Sequence, residues 1–265
     1  MKIFRIMDEY SASSVGTLLY YEKSKTFIIE LETHLDEWTA PLLLTAFVRK
    51  GIYTIPRDMS FLWVKERVIP SSRQNIGAIL ANHKLKEYDE MKLLELSEGK
   101  CSQDEMYIQK LDRLPDYVAE RQQKNLTECF VSENGCAICF FVDGTTRKTE
   151  LSKLTGVSNL DRVLKYRELL LSGKPGPGGY SLTFDDACDI PATDLYAYGE
   201  TIPFSLQDLT AFLSRNVYDT TESCRELECS RQNISYLIRQ GSLTPVKEDV
   251  KGTLFLKGEV LKTKW

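Results

Sequence analysis

A chain of 265 residues with a net charge of −4 at neutral pH is long enough for two or three compact units and too acidic to coat nucleic acid over its whole surface. With 42% hydrophobic and 27% charged residues it falls outside the disordered and fibrous classes, and its longest apolar run, 40–48, is far too short to span a membrane. Seven scattered cysteines make no dense disulfide framework, and Met1-Lys2-Ile3-Phe4 reads as a strand rather than a secretory leader, so a cytoplasmic protein with reduced thiols is expected.

The first unit, 1–111, opens with strands over 1–7, 15–21 and 26–31, the last two joined as a hairpin by the polar turn 22–25. Helical periodicity follows over 38–50, 73–81 and 89–96. In the last of these Met91, Leu93 and Leu94 share a face, and Gly99 closes the helix as a C′ glycine. Residues 112–124 are charged and contain Pro115, which suits a short connecting helix or linker.

The second unit, 125–200, carries the clearest β signal. Strands over 127–131, 136–142 and 145–151 are joined by Ser132-Glu133-Asn134-Gly135 and by Asp143-Gly144, a meander. Cys136 and Cys139 have the spacing of a zinc hook, yet residues three apart on a strand point to opposite faces. No second cysteine pair with ligand spacing exists, and His34 and His83 lie far off in sequence. Neither a metal nor any other cofactor is expected. A helix over 160–171 leads to the loop 173–179, Gly-Lys-Pro-Gly-Pro-Gly-Gly. A phosphate loop would need Ser or Thr after the lysine and amides that two prolines lack, so the loop reads as a plain connector. Strands over 180–184 and 188–190 flank an Asp185-Asp186 turn. Asp143, Asp185, Asp186 and Asp189 all sit at turns or strand ends, where aspartate serves the backbone. A connecting helix, 204–218, is capped by Ser205.

The last unit, 219–265, reads as two short helices about a turn. Cys224 is the small residue where the helices approach, Leu227 and Ile234 face each other, Leu237 and Ile238 extend the core, and Ser230 caps the second helix. The fold class is therefore α+β in three units, the last a helix-turn-helix. From Asp219 to Leu243 the chain resembles the helix-turn-helix of the MerR and excisionase type, with Arg239-Gln240-Gly241-Ser242-Leu243 supplying its closing pattern and Glu228 standing where that family usually carries glycine.

The resemblance implies double-stranded DNA as partner, with the second helix in the major groove and Arg231, Gln232, Asn233, Tyr236 and Arg239 on base edges and phosphates. A wing over 244–261, with a strand over 253–257, would set Lys251 and Lys257 on phosphate. Residues 230–265 hold seven Lys and Arg against three Asp and Glu, a local +4 within a chain of −4. Because one such module covers little DNA, a homodimer on a two-fold site is expected.

Two further resemblances are weaker in content. Phe141-Val142-Asp143-Gly144, Arg147 to Leu151 and Tyr180 to Phe184 through Asp189-Ile190-Pro191-Ala192 to Leu195-Tyr196 resemble a small bacterial domain family of unknown function. Val68-Ile69-Pro70, Arg73 to Ile76, Leu85, Tyr88-Asp89, Leu93-Leu94 and Gly99 are similar to the N-terminal subdomain of HipA-type toxin kinases, with none of the kinase's catalytic segments. That similarity implies a HipA-like kinase as a protein partner. Ser72-Arg-Gln-Asn-Ile76 recurs as Ser230-Arg-Gln-Asn-Ile234, and both copies are expected to start helices with serine as cap.

No catalytic motif of a hydrolase, zinc protease, nucleotide-binding loop or dinucleotide site is present, so the chain is expected not to be an enzyme. The expected function is a bacterial DNA-binding transcriptional regulator, the antitoxin or autorepressor partner of a HipA-type kinase. The alternative is an adaptor or antitoxin acting by protein contact alone. A bare excisionase-like architectural protein fits less well, since such proteins are little more than the helix-turn-helix.

Overall fold

The structure, a computed structural model, describes residues 1–247, 250, 257–262 and 265. It is an α+β fold with three separate antiparallel sheets. No helix among the described residues is long and apolar enough to cross a membrane.

The first sheet contains β1 (Lys2–Asp8), β2 (Ser13–Tyr21), β3 (Thr26–Leu31), β4 (Thr54–Ile55) and β5 (Met106–Leu111), in the order β4-β3-β2-β1-β5. The hairpin β2/β3 forms as expected, with Tyr21 opposite Thr26. β5 pairs with β1 from the far end of the unit, Ile3 opposite Leu111, and its sequence gives no local hint of this. The middle strands are apolar on both faces. Leu18, Tyr20, Phe27 and Ile29 belong to the larger core under the helices, while Leu19, Tyr21 and Ile28 belong to a second cluster behind the sheet.

The helices on the first face are α1 (Thr45–Arg49), α2 (Arg57–Lys65), α3 (Ile76–Asn82) and α4 (Glu90–Leu96). Only the second half of the expected 38–50 helix is helical. Asp36 accepts the amides of Trp38 and Thr39, both at 2.9 Å, to hold a turn, and Pro41 opens a 3₁₀ turn at Leu42–Leu44. α2, which the periodicity does not announce, buries Trp63 and Val64. Its Ser60 hydroxyl accepts the Ile29 amide at 3.0 Å and donates to the Ile55 carbonyl at 3.1 Å. α4 starts at the Asp89 cap and buries Met91, Leu93 and Leu94 as expected. Its left-handed C′ residue is Glu98 (φ +54°), and Gly99 (φ +71°) follows, its amide donating to the Leu94 carbonyl at 2.9 Å. α3 begins three residues later than expected. Successive turns, Arg73 N–H to the Pro70 carbonyl and Ile76 N–H to the Arg73 carbonyl, take up Ser72-Arg-Gln-Asn, so Ser72 caps nothing.

After α5 (Asp116–Gln122), the second sheet is the expected meander β6 (Leu126–Val131), β7 (Cys136–Phe141) and β8 (Thr146–Glu150), extended after the small sheet by β12 (Glu200–Ile202) in the order β12-β8-β7-β6. Cys139 is fully buried opposite Cys129, and Cys136 is half-buried at the strand's start. The expected helix 160–171 breaks at Tyr166, whose φ −109° and ψ 109° are extended, into α6 (Leu160–Lys165) and α7 (Arg167–Leu171). The small sheet of β9 (Lys174–Pro175), β10 (Ser181–Phe184) and β11 (Cys188–Pro191) precedes α8 (Ala192–Tyr198). Val131, Phe141, Val163, Phe184 and Leu195 meet in one core between these layers.

The loop 173–179 is more than a connector. Gly178 (φ +64°) and Gly179 (φ +73°) are left-handed, and a Cβ would lie 2.2 Å from the Tyr21 hydroxyl oxygen at the first and 2.2 Å from the Leu126 carbonyl at the second. The prolines and glycines let this backbone press against the first sheet. Asn125 Nδ2 donates to the Gly178 carbonyl at 2.9 Å, and the Gln122 amide donates to the Tyr180 hydroxyl at 2.9 Å. α5 lies in the same seam. Val118 is fully buried with Leu19, Tyr21, Ile28 and Tyr180, and Trp265 packs against that cluster. Glu30, at 0% exposure, receives Arg121 Nη1 and Thr54 Oγ1, each at 2.8 Å. Burial raises the Glu30 carboxyl above its ordinary range, opposed by these two donors.

Candidate nucleic-acid interface

α9 (Leu206–Asn216) leads out of the body from a capping box. Ser205 Oγ accepts the Asp208 amide at 3.1 Å and the Asp208 carboxylate accepts the Ser205 amide at 2.9 Å. α10 (Thr220–Glu226) repeats the device with Asp219 and Glu222, at 2.7 and 2.9 Å. α11 (Arg231–Arg239) starts at the Ser230 cap, whose hydroxyl accepts the Asn233 amide at 3.3 Å. Of the two Ser-Arg-Gln-Asn-Ile copies, therefore, only the second begins a helix at its serine.

Between α10 and α11 the chain makes a complete Schellman turn. The Cys229 amide reaches the Cys224 carbonyl at 2.9 Å, the Glu228 amide reaches the Arg225 carbonyl at 3.3 Å, and Glu228 is the left-handed residue at φ +48°. α11 ends the same way about Gly241 (φ +73°), with Ser242 N–H on the Leu237 carbonyl at 2.9 Å. Glu228 thus occupies a position that favours glycine, and its side chain costs about 1 kcal/mol there. Glu228→Gly is expected to raise the stability of this hairpin by about 0.5–1 kcal/mol, read as slower amide exchange in 231–239. Faster exchange would refute this account of the turn.

The module buries little. Ile234 is buried and Leu237 half-buried, whereas Leu227 and Ile238, expected in the core, are 48% and 39% exposed. At about 100° per residue, the face of α11 opposite Ile234 and Leu237 carries Gln232, Tyr236 and Arg239. All three are exposed, as are Arg231 and Asn233 on the two flanks. Arg231 leans on α10, its guanidinium donating to Thr221 Oγ1 at 3.2 Å. Arg239 Nε donates to the Ser235 carbonyl at 3.3 Å, and the Gln240 amide donates to the Tyr236 hydroxyl. Gln232 and Asn233 are the exposed amides nearest the cap.

Lys251 and most of the expected wing strand 253–257 lie outside the described residues. Lys257 is the first residue of α12 (Lys257–Lys262), not the end of a strand. The cause is local packing against the body. The Gly258 amide donates to the Glu128 carboxylate, and a Cβ at Gly258 would lie 2.2 Å from the Thr127 carbonyl. Sequence reasoning had no signal for this contact except the glycine itself.

Elsewhere the chemistry is closed. A cleft of about 310 Å³ between the first sheet, the glycine-proline loop and Trp265 holds two cations, but Lys174 pairs with Asp185 at 3.3 Å and Arg57 with Asp189 at 2.5 Å and Asp186 at 3.5 Å. Among the described residues no group of three or more His, Cys, Asp and Glu is placed to hold a metal ion. Comparison with protein-family models, curated proteins and solved structures returns no match to this chain.

Proposed function

We propose that the chain is a DNA-binding transcriptional regulator that reads the major groove with α11. The observation that carries this reading is the hairpin itself: two capped helices joined by a Schellman turn, the second presenting Gln232, Tyr236 and Arg239 outward with Asn233 beside them. Amides suit adenine and arginine suits guanine, and the local excess of cations favours phosphate. The small footprint calls for two copies on a two-fold site. Selection from genomic fragments at low salt should enrich a two-fold sequence. Gln232→Ala and Asn233→Ala should each weaken its mobility shift by about 1–3 kcal/mol. No enriched sequence, or a shift indifferent to both changes, would remove the proposal.

A second reading, protein contact through the first unit, is favoured by Trp38 at 86% and Leu42 at 94% exposure, four residues apart on successive turns. Nearly bare Trp of this kind is typical of binding hot spots. The partner implied by resemblance is a HipA-like kinase. Co-purification from the native host should recover such a kinase, and Trp38→Ala should reduce its recovery about tenfold or more; undiminished recovery would discard this surface.

A further inference from the structure

The Schellman turn that joins α10 to α11 has cysteines at the two positions that its outer backbone hydrogen bond joins. Cys224 is the residue whose carbonyl accepts the closing bond and Cys229 the residue whose amide donates it, at 2.9 Å. These are the positions whose side chains commonly touch across such a turn. Both side chains are half-buried, so neither is sealed from solvent. The other close pair, Cys129 opposite Cys139 on β6 and β7, is buried in the core of the second sheet. Cys101 lies in the first unit, its thiol donating to Asp104 Oδ1 at 3.6 Å, and Cys136 opens β7.

We propose that Cys224 and Cys229 form a reversible disulfide, a thiol–disulfide site that sets how firmly the helix-turn-helix is held. The oxidant is a small-molecule disulfide. One cysteine, as thiolate, attacks a sulfur of that molecule, giving a mixed disulfide and releasing one small thiol. The second cysteine then attacks the protein-bound sulfur and releases the other small thiol. The small disulfide gains two electrons and two protons, and the cysteine pair loses the same. The new bond closes a short ring across the turn, added to the two backbone hydrogen bonds of the reduced chain, with the left-handed Glu228 inside it. Since the hairpin buries only Ile234 among its described residues, this cross-link is a large part of its restraint. The consequence for DNA rests on the function proposed above; the chemistry of the pair does not.

The test uses the full chain and oxidised glutathione. After oxidation, denaturation and alkylation, mass spectrometry of the peptide holding both residues should show it two hydrogens lighter and unalkylated, and dithiothreitol should reverse this. Cys224→Ser and Cys229→Ser should each leave a stable glutathione adduct on the remaining cysteine. Cleavage by trypsin at Arg231 should slow about tenfold on oxidation of the unaltered chain and not in Cys229→Ser. Stable glutathione adducts on both residues of the unaltered chain, two alkylated thiols, or cleavage unaffected by oxidation would each overturn the proposal. A mobility shift run beside these measurements separates the two ideas. If the disulfide forms and slows cleavage while neither form binds DNA, the DNA reading has failed and the thiol site stands.

Discussion

Replacing Arg121 by methionine is expected to cost about 3–5 kcal/mol at neutral pH, because it leaves the fully buried Glu30 carboxylate without its cation. Arg121 Nη1 serves two acceptors at once, Glu30 Oε2 and the Leu31 carbonyl, both at 2.8 Å, so no single neutral donor replaces it. Methionine keeps the unbranched stem packed near Tyr53 and Tyr117. Thr54 Oγ1 and the Tyr180 hydroxyl, both neutral, then remain as side-chain donors to the carboxylate.

The pH dependence of that loss follows from the direction of the Glu30 shift. Burial already raises its folded-state carboxyl above the unfolded value, and removing Arg121 removes an opposing influence, so the folded value rises further. A raised folded value means stability present below the unfolded value, about 4.3, and lost as pH rises through the folded one. The deficit against the unaltered chain should therefore be largest near pH 8 and shrink as pH is lowered toward about 5. Urea denaturation at both pH values measures it. Adding Glu30→Met should recover most of the loss, since a buried pair replaced by apolar groups is often nearly neutral. An equal midpoint at pH 8, or a deficit independent of pH, would show that the pair does not anchor the seam.

How much of this was legible in the sequence depended on the range of the interaction. The meander was legible because Asn134-Gly135 and Asp143-Gly144 are local turn signals that decide pairing within a few residues. The caps at Ser205 and Ser230 were legible for the same reason. β5 was not, because its edge position is set by β1, which lies about a hundred residues earlier. α2 was missed because its buried Trp63 and Val64 are adjacent and leave little period to read. The break at Tyr166 was hidden by apolar residues that continue the helical spacing on both sides.

The glycine-proline loop illustrates a different limit. Its composition argues against a phosphate cradle, but composition cannot tell a slack connector from a backbone pressed onto Tyr21 and Leu126. For the candidate interface, the sequence supplied the Ser205 and Ser230 caps, the turn and the residues of α11. It could not supply the lean of Arg231 onto Thr221, or the return of α12 to Glu128, because both depend on groups outside the local pattern.

Ile234→Asp is expected to unfold the helix-turn-helix while leaving the body intact. Ile234, at 6% exposure, is the one buried residue among the described residues of 219–243, and its neighbours in the hairpin are at most half-buried. Placing a carboxylate there costs about 3 kcal/mol or more, comparable with what so small a module can hold in total. The large cores lie elsewhere, about Trp63 and Leu94 in the first unit and Val163 and Phe184 in the second, and share no residue with it. Amide exchange in 231–239 should therefore approach the rate of an unfolded chain, with β2 and β7 unchanged, and the mobility shift should vanish. Ile234→Val, which removes one methylene, should cost only about 0.5–1.5 kcal/mol and keep most of the binding. If Ile234→Asp instead lowered the denaturation midpoint of the whole chain, the hairpin would be part of the common core, held through α9 and α12 more tightly than its own packing indicates. If exchange rose while DNA affinity stayed, α11 would not be the reading helix.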